Sequence, residues 1–392
     1  MLEMLEVLAS AGEPCVAATI VRASGSVPRP VGTSMLISGS GQVTGSLSGG
    51  CVEASVIAVA EDVFADERAR LEVFGYSDDD AFAVGLSCGG TLDVLVEPVA
   101  AGTFPALAGA PCALIRALPA GDGDGARQLP LLVASPAAAA APAALLAAHG
   151  PELAALLNVR PEAALPKGVL QRAAARLSPL LAAGRTGVVE LDGPGSGTCE
   201  GSAPALFLES RLAPPRLVLI GANDFSAALA RQGRLLGYHV TVCDARPVFT
   251  TPERFPAAHS VQVQWPDRYL RGEAAAGRLD ARTVVCVLSH DAKFDVPALA
   301  EALRLDLGYV GAMGSRRSHD QRVTALHAAG LGAAELQALH SPLGLDIGAA
   351  TPEETAVSVF AEIVAARSGT AASGRPLRAV SGPIHPHTSL TS

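Results

Sequence analysis

Between residues 217 and 246 the chain reads LVLIGANDFSAALARQGRLLGYHVTVCDAR, and no other stretch constrains the fold as much. Arg216 to Gly221 is an unbroken apolar strand, residues 224–236 carry a helical pattern, and His239 to Cys243 is a second strand followed by Asp244. A third strand comes at Arg282 to Leu288 (RTVVCVL) and a short one at Gly308 to Gly311, with helices predicted over 295–304 and 315–328. Thr351-Pro352-Glu353-Glu354 is a capping box with proline at the first helical position. It opens a helix whose Ala356, Val359, Phe360, Ile363 and Val364 share one face. Strands that alternate with helices form a parallel sheet with helices on its faces.

The chain ahead of this region is organised differently. Val16 to Arg22 and Thr33 to Ser38 read as strands, and the GSVPRPVG loop at 25–32 is too rich in proline and glycine to continue either. Residues 51–64 read as a helix, with Val52, Val56, Ile57, Ala60, Val63 and Phe64 on one face, and Thr91 to Val99 as a strand. Two glycine-rich cysteine loops interrupt these elements, GSLSGGCVE at 45–53 and GLSCGG at 85–90. The expected organisation is α/β throughout. A mixed α/β domain spans 1–100, and an Ala/Pro-rich connecting segment with a few strands, at Pro111 to Ala117 and Gly187 to Leu191, spans 101–213. The parallel-sheet domain spans 214–370 and a disordered tail 371–392.

Composition narrows the function classes. The net charge of −9, with no Lys/Arg-rich run, argues against a nucleic-acid footprint and against a polybasic membrane surface. The first residues, MLEMLEVLASAGEP, carry three glutamates and no basic residue; they read as a short amphipathic helix rather than a signal peptide. The run from Ala137 to Ala148 is broken by Pro142 and is too short to span a bilayer. Seven cysteines without a CxxC pair disfavour a disulfide framework or a structural zinc site, so reduced thiols in a cytoplasmic protein are expected.

The cysteine loops therefore carry the most specific chemistry. Cys51 follows Gly49-Gly50 at the expected start of a helix, where unpaired N–H groups and the positive end of the helix dipole favour a thiolate or an anion. Cys88 stands between Gly85 and Gly89-Gly90 in a similar setting. Such a thiolate is a nucleophile, a soft metal ligand or a persulfide carrier; taken singly, each cysteine is equally consistent with an inert thiol beside a tight turn. No histidine precedes His149, which weakens a Cys/His hydrolase reading. Arg29, in the proline-stiffened loop, is a candidate anion contact or an ordinary surface arginine.

The later domain has the shape of a Rossmann-like dinucleotide unit, with Asp244 placed 23 residues after Gly221 where an acid would hold a ribose. Its fingerprint is degraded, because Asn223 and Ser226 stand where the second and third glycines belong. NAD(P) binding through Gly221 and Asp244 is thus set against a sheet used as scaffold. Two polar clusters lie where ligands of such folds bind: Ser289-His290-Asp291, and Gly311-Ala312-Met313-Gly314-Ser315-Arg316-Arg317, a glycine turn opening a helix with two arginines suited to a phosphate.

These pieces together resemble the XdhC/CoxI family, accessory factors for xanthine dehydrogenase and related molybdenum hydroxylases. The resemblance is carried by GSVPRPVGTSM at 25–35, GSLSGGCVE at 45–53, GLSCGG at 85–90, YVGAMGSRR at 309–317 and GLDIGAATPEETAVS at 344–358; residues 100–213 match only in character. It implies a non-enzymatic chaperone that binds molybdenum cofactor (molybdopterin), protects it, helps sulfurate it and inserts it into a xanthine-dehydrogenase-type enzyme. A cysteine desulfurase is the implied partner for sulfuration, and a homodimer is expected. On this resemblance Cys51 and Cys88, with Gly49, Gly50, Gly89 and Gly90, fall at the metal end of the cofactor. Arg29, Gly314, Arg316 and Arg317 are assigned to anion contacts, the two arginines of 316–317 at the phosphate end. The alternative function is an NAD(P)-dependent oxidoreductase using the Rossmann-like domain.

Overall fold

Cys15–Ser24 (β1) is the middle strand of a five-stranded antiparallel sheet. Its alternate residues face opposite ways, as the two-residue period of a strand requires. Val16, Ala18 and Ile20 belong to one core and Cys15 and Ala17 to another, so both faces of the sheet are covered. The computed structural model describes residues 1–380 apart from 5–6, 8–9, 11, 26, 28, 51, 76–89, 106–109, 120–128, 158–167, 192–204 and 368–373. The chain divides into two units, Met1–Ala213 and Pro214–Ser381.

In the first unit, Ser34–Ser38 (β2) and Val43–Gly45 (β3) follow β1, then the helix Glu53–Asp66 (α1), Arg70–Gly75 (β4) and Thr91–Val99 (β5). The strand order is β3-β2-β1-β5-β4. Val56, Ala60 and Val63 of α1 pack on Val16, Ile20, Val94 and Val96, and each fully buried valine or isoleucine contributes roughly 1.5–3 kcal/mol.

Where the sequence reading has a connecting segment with a few strands, the structure has a second sheet. Cys112–Ala117 (β6), Leu131–Val133 (β7), Gly187–Val189 (β8) and Leu206–Arg211 (β9) pair antiparallel in the order β7-β6-β9-β8. Two helices, Pro142–Leu157 (α2) and Val169–Ala182 (α3), close its outer face through Leu145, Leu153, Leu177 and Leu181. Its inner face meets the first sheet at Leu36, Val99 and Leu114. Arg116 is 1% exposed between the sheets, with Nη1 2.6 Å from Glu97 and Nη2 2.7 Å from Glu209. The α-amino group of Met1 lies 2.9 Å from the same Glu209. The buried charges are thus paired, the condition under which they are tolerated.

The second unit is the parallel sheet anticipated from the alternation. Its elements are Arg216–Ile220 (β10), Asp224–Leu235 (α4), His239–Asp244 (β11), Ser260–Val263 (β12), Pro266–Ala275 (α5), Val284–Val287 (β13) and Ala292–Ala302 (α6). Tyr309–Ala312 (β14), Arg316–Ala328 (α7), Ala333–Gln337 (α8), Leu339–His340 (β15) and Pro352–Arg367 (α9) complete it. The order β12-β11-β10-β13-β14-β15 is the dinucleotide-fold arrangement, with the chain reversing direction across the sheet between β10 and β13. The capping box holds: Thr351 Oγ1 accepts from the Glu354 amide (3.2 Å), and Glu354 Oε2 accepts from the Thr351 amide (3.0 Å). Among the described residues no helix is long and apolar enough to cross a membrane. Of the expected tail, only 374–380 lie within the described residues.

Candidate functional site

The first cysteine loop folds around the carboxylate that follows it. Glu53 is the first residue of α1, and its side chain turns back into the loop. Oε1 accepts from the amides of Leu47 (3.1 Å), Ser48 (2.8 Å) and Gly49 (3.0 Å) and from Ser46 Oγ (2.8 Å). Oε2 accepts from the amides of Gly50 (2.9 Å) and Val52 (3.2 Å) and from Ser48 Oγ (2.6 Å). Burial opposes ionisation of Glu53, but the Ser48 and Ser46 hydroxyls and the backbone amides outweigh it and hold its carboxyl well below the usual range.

Convergence of so many amides on one point needs backbone that turns the wrong way for most residues. Gly49 (φ +88°) and Gly50 (φ +128°) supply it, and a Cβ on either would meet nothing within 4 Å. The loop amides, expected to be unpaired and available to a ligand, are therefore already taken. Cys51, Cys88 and Gly89 lie outside the described residues. Gly90 is half-buried immediately before β5, and Arg29 is exposed between β1 and β2.

The remaining sequence-predicted residues gather at the carboxyl edge of the parallel sheet. Asp244 ends β11 and is 2% exposed. Its Oδ2 accepts from the Ala222 amide (2.9 Å) and Arg246 Nη2 (2.7 Å), and its Oδ1 from Arg246 Nε (3.0 Å) and the Arg246 amide (2.9 Å). Burial again works against the charge, and the Arg246 and Ala222 donors overcome it, leaving the Asp244 carboxyl below its ordinary value. Gly221 has φ +109°, and a Cβ there would stand 2.8 Å from the Ser289 amide nitrogen. Its smallness thus lets β10 and β13 approach at the switch point. Asn223 caps α4, accepting from the Ser226 amide (3.0 Å) while its Nδ2 donates to Leu288 O (2.9 Å). The residue that degrades the fingerprint is a helix cap and a strap between two strands.

Further along the edge, Ser289 Oγ donates to Asp295, whose pKa is raised by burial and only partly restored by that bond. Arg322 lies 3.7 Å from Asp295 and donates to Met313 O (2.8 Å) and Ser341 Oγ (2.9 Å). This links the turns after β13, β14 and β15. Asp291 caps α6 through the Lys293 amide (3.2 Å), and His290 is exposed. Gly314 and the cap residue Ser315, which accepts from the Ser318 amide (3.1 Å), lead into α7. Arg316 and Arg317 open that helix, both exposed, and among the described residues neither has an ion-pair partner.

The structure brings Gly221, Asp244, Gly314, Arg316 and Arg317 to one sheet edge. Sequence reasoning missed Glu53, Arg246 and the Ser289–Asp295–Arg322 link. Glu53 had a signal, an acid in the first turn of a helix after a serine- and glycine-rich loop, and so did Arg246, two residues from the acid it pairs. The Asp295–Arg322 pair joins separate helices and has no local pattern. Cys15, Cys112, Cys243 and Cys286 are buried; burial, and then nearby Asp244, pushes the Cys243 thiol up to about 12. Among the described residues no cluster of His, Cys, Asp and Glu is arranged to hold a metal.

Comparison with known proteins agrees with the fold. Residues 217–363 match the family profile described as XdhC Rossmann domain, and residues 8–75 match that of the XdhC and CoxI family. The chain is 25% identical over 357 residues to the molybdenum cofactor insertion chaperone PaoD of Escherichia coli (strain K12), covering 91% of this chain and 84% of that one. It is 30% identical over 166 residues to a probable xanthine dehydrogenase subunit of Bacillus subtilis (strain 168), covering 42% of this chain. The chain spans only 29% and 47% of the two curated relatives that it matches at 30% identity or more. A crystal structure described as a xanthine dehydrogenase from Bacillus halodurans aligns with a TM-score of 0.62 at 25% identity, covering 95% of this chain and 97% of that one.

Proposed function

The chain belongs to the XdhC and CoxI family, and from that premise we propose that it binds molybdenum cofactor and delivers it to a xanthine-dehydrogenase-type molybdenum hydroxylase. The observation that carries this reading is the match to a molybdenum cofactor insertion chaperone over 91% of the chain. Protection and sulfuration of the cofactor, a cysteine desulfurase as partner, a homodimer and a cytoplasmic location belong to the same proposal.

The residues fit an anionic cofactor at one end. Arg316 and Arg317, at the start of α7 beside Gly314, offer unpaired guanidinium groups and a helix N-terminus to a phosphate. The amides of Leu47 to Gly50 do not serve that purpose, since Glu53 occupies them. Sulfur or metal contact is therefore assigned to the thiols of Cys51 and Cys88, with Glu53 fixing the loop that leads to Cys51. When bound, the cofactor supplies a dithiolene-held molybdenum centre for the client enzyme.

Co-expression with an intact cofactor pathway tests the proposal. The purified protein is expected to contain molybdenum and pterin together; well-folded protein with neither overturns it. The alternative, an NAD(P)-dependent oxidoreductase, has the strand order in its favour. Against it, Asp244 is saturated by Ala222 and Arg246, and Ser289 crowds Gly221. Fluorescence titration with NAD(H) and NADP(H) decides: the molybdenum reading expects no saturation.

A further inference from the structure

A parallel sheet covered by helices on both faces is built from apolar strands. One corner of this sheet departs from that rule. On β10, Val218 and Ile220 point into the core that contains Leu270 of α5, and Arg216 occupies the same face two residues earlier. On β11, Cys243 shares that core, and the alternation puts Thr241 and His239 in line with it. On the edge strand β12, Val261 packs in the opposite core, so Ser260 and Gln262 face this side. Three adjacent strands thus begin with polar side chains on one face. The result is a groove of about 360 Å³ that opens at the amino ends of β10 and β11 and runs along the edge strand β12 as far as Gln264.

The groove has a charge excess and unspent donors. Arg216, Arg268 and Arg278 line it against a single carboxylate, Glu273. Glu273 is shared, accepting from Arg216 Nη1 at 2.6 Å and from Arg278 Nη2 at 2.6 Å. Arg268 is exposed, and among the described residues it has no ion-pair partner. Among the described residues, Arg216 Nε and His239 Nδ1 are buried and have no hydrogen-bond partner. A buried polar atom left unpaired is destabilising, so two in one groove mark a place where a ligand would restore stability. The His239 ring is held in place by stacking on His259 at 4.7 Å.

We infer that this groove is a second binding site, for a small acceptor-rich anion bearing phosphate or carboxylate groups. The volume suits a molecule of metabolite size, and the polar walls exclude an apolar one. Its anion lies between Arg268 and Arg278 and an acceptor reaches Arg216 Nε. The site rests on residues separate from the cofactor proposal and stands or falls without it.

Calorimetric titration of the full chain at low ionic strength tests this, with pyrophosphate as the phosphate probe and citrate as the carboxylate probe. Saturable binding of either is expected, and the probe that binds identifies the ligand's acid group. R268Q/R278Q is expected to weaken binding at least about tenfold, the loss of one charge-assisted contact, while R304Q, at an exposed arginine outside the groove, leaves it unchanged. Should the double variant fold poorly, R268Q alone, at an exposed position, carries the same expectation. Absence of saturable binding by both probes overturns the inference. So does binding that survives R268Q/R278Q or R268Q, or that is lost in R304Q.

Discussion

Glu53 and Asp244 each lie beside a glycine turn at the start of a helix, and each turn read from sequence alone looks like an anion cradle. Among the described residues, the N-terminal turn gathers five amides and two hydroxyls onto Glu53, with no cation among the donors. The C-terminal turn gives Asp244 one amide, from Ala222, and leaves the rest to Arg246. The glycines differ in the same way. Gly49 and Gly50 are there for their backbone angles alone, with open space beside them, whereas Gly221 combines a positive φ with Ser289 in the way. The difference teaches that a glycine turn before a helix announces an anion without saying whose. In both units the protein's own carboxylate occupies the turn, which shifts ligand contact to the exposed arginines and the thiols.

Gly221→Ala should have the largest effect, because it combines a contact at 2.8 Å with a positive φ. The cost is expected at roughly 2–5 kcal/mol, read as a lower urea midpoint for the C-terminal unit. A neutral result would mean that the two turns are held alike. Glu53→Gln comes next, at about 1–3 kcal/mol, since one carboxylate organises the whole loop. Faster hydrogen exchange at the Gly49 and Gly50 amides would localise the loss, and unchanged exchange would count against the clasp. Gly49→Ala should cost only the strain of its backbone, about 1–2 kcal/mol.

Acid sharpens the comparison further. Glu53 and Asp244 both have folded-state pKa values below their unfolded ones. Each therefore adds stability that is fully present above its unfolded pKa, about 4.3 for Glu and 3.9 for Asp, and that is lost as pH falls towards the folded value. The stability gap between wild type and Glu53→Gln is expected to be constant from pH 7 to pH 5 and to shrink below pH 4. A gap that widens on acidification would contradict the account. The smallest effect on stability is expected from Arg316→Gln with Arg317→Gln, within about 0.5 kcal/mol, since both side chains are exposed. The same pair should nonetheless lose bound pterin, measured after co-expression with the cofactor pathway.

The parallel sheet is legible in the sequence because its strands are uninterrupted apolar runs bounded by glycine and cap residues, as at Leu217 to Gly221 and Thr351 to Glu354. β12 and β15 give no such signal, because Ser260–Val263 mixes polar with apolar residues and Leu339–His340 has only two. Of the second sheet in the first unit, Cys112–Ala117 and Gly187–Val189 fall within strands read from the sequence, whereas Leu206–Arg211 and the three-residue Leu131–Val133, beside an Ala- and Pro-rich stretch, do not, so the sheet itself is not legible. At the candidate site, Gly314, Arg316 and Arg317 can be found because they are nearly contiguous. The occupancy of the loop by Glu53 cannot, because sequence shows where amides are exposed by a turn but not which acceptor closes on them.

The central claim, that this chain carries molybdenum cofactor to an enzyme, is tested most directly by transfer. The protein purified after co-expression with the cofactor pathway is mixed with a cofactor-free xanthine-dehydrogenase-type enzyme, and the activity gained is compared with the molybdenum and pterin lost from the chaperone. The account predicts activity that rises in proportion to the cofactor supplied, and little transfer from protein carrying Cys51→Ala and Cys88→Ala. Wild-type protein that holds molybdenum and pterin yet activates nothing, or that holds neither, would contradict it.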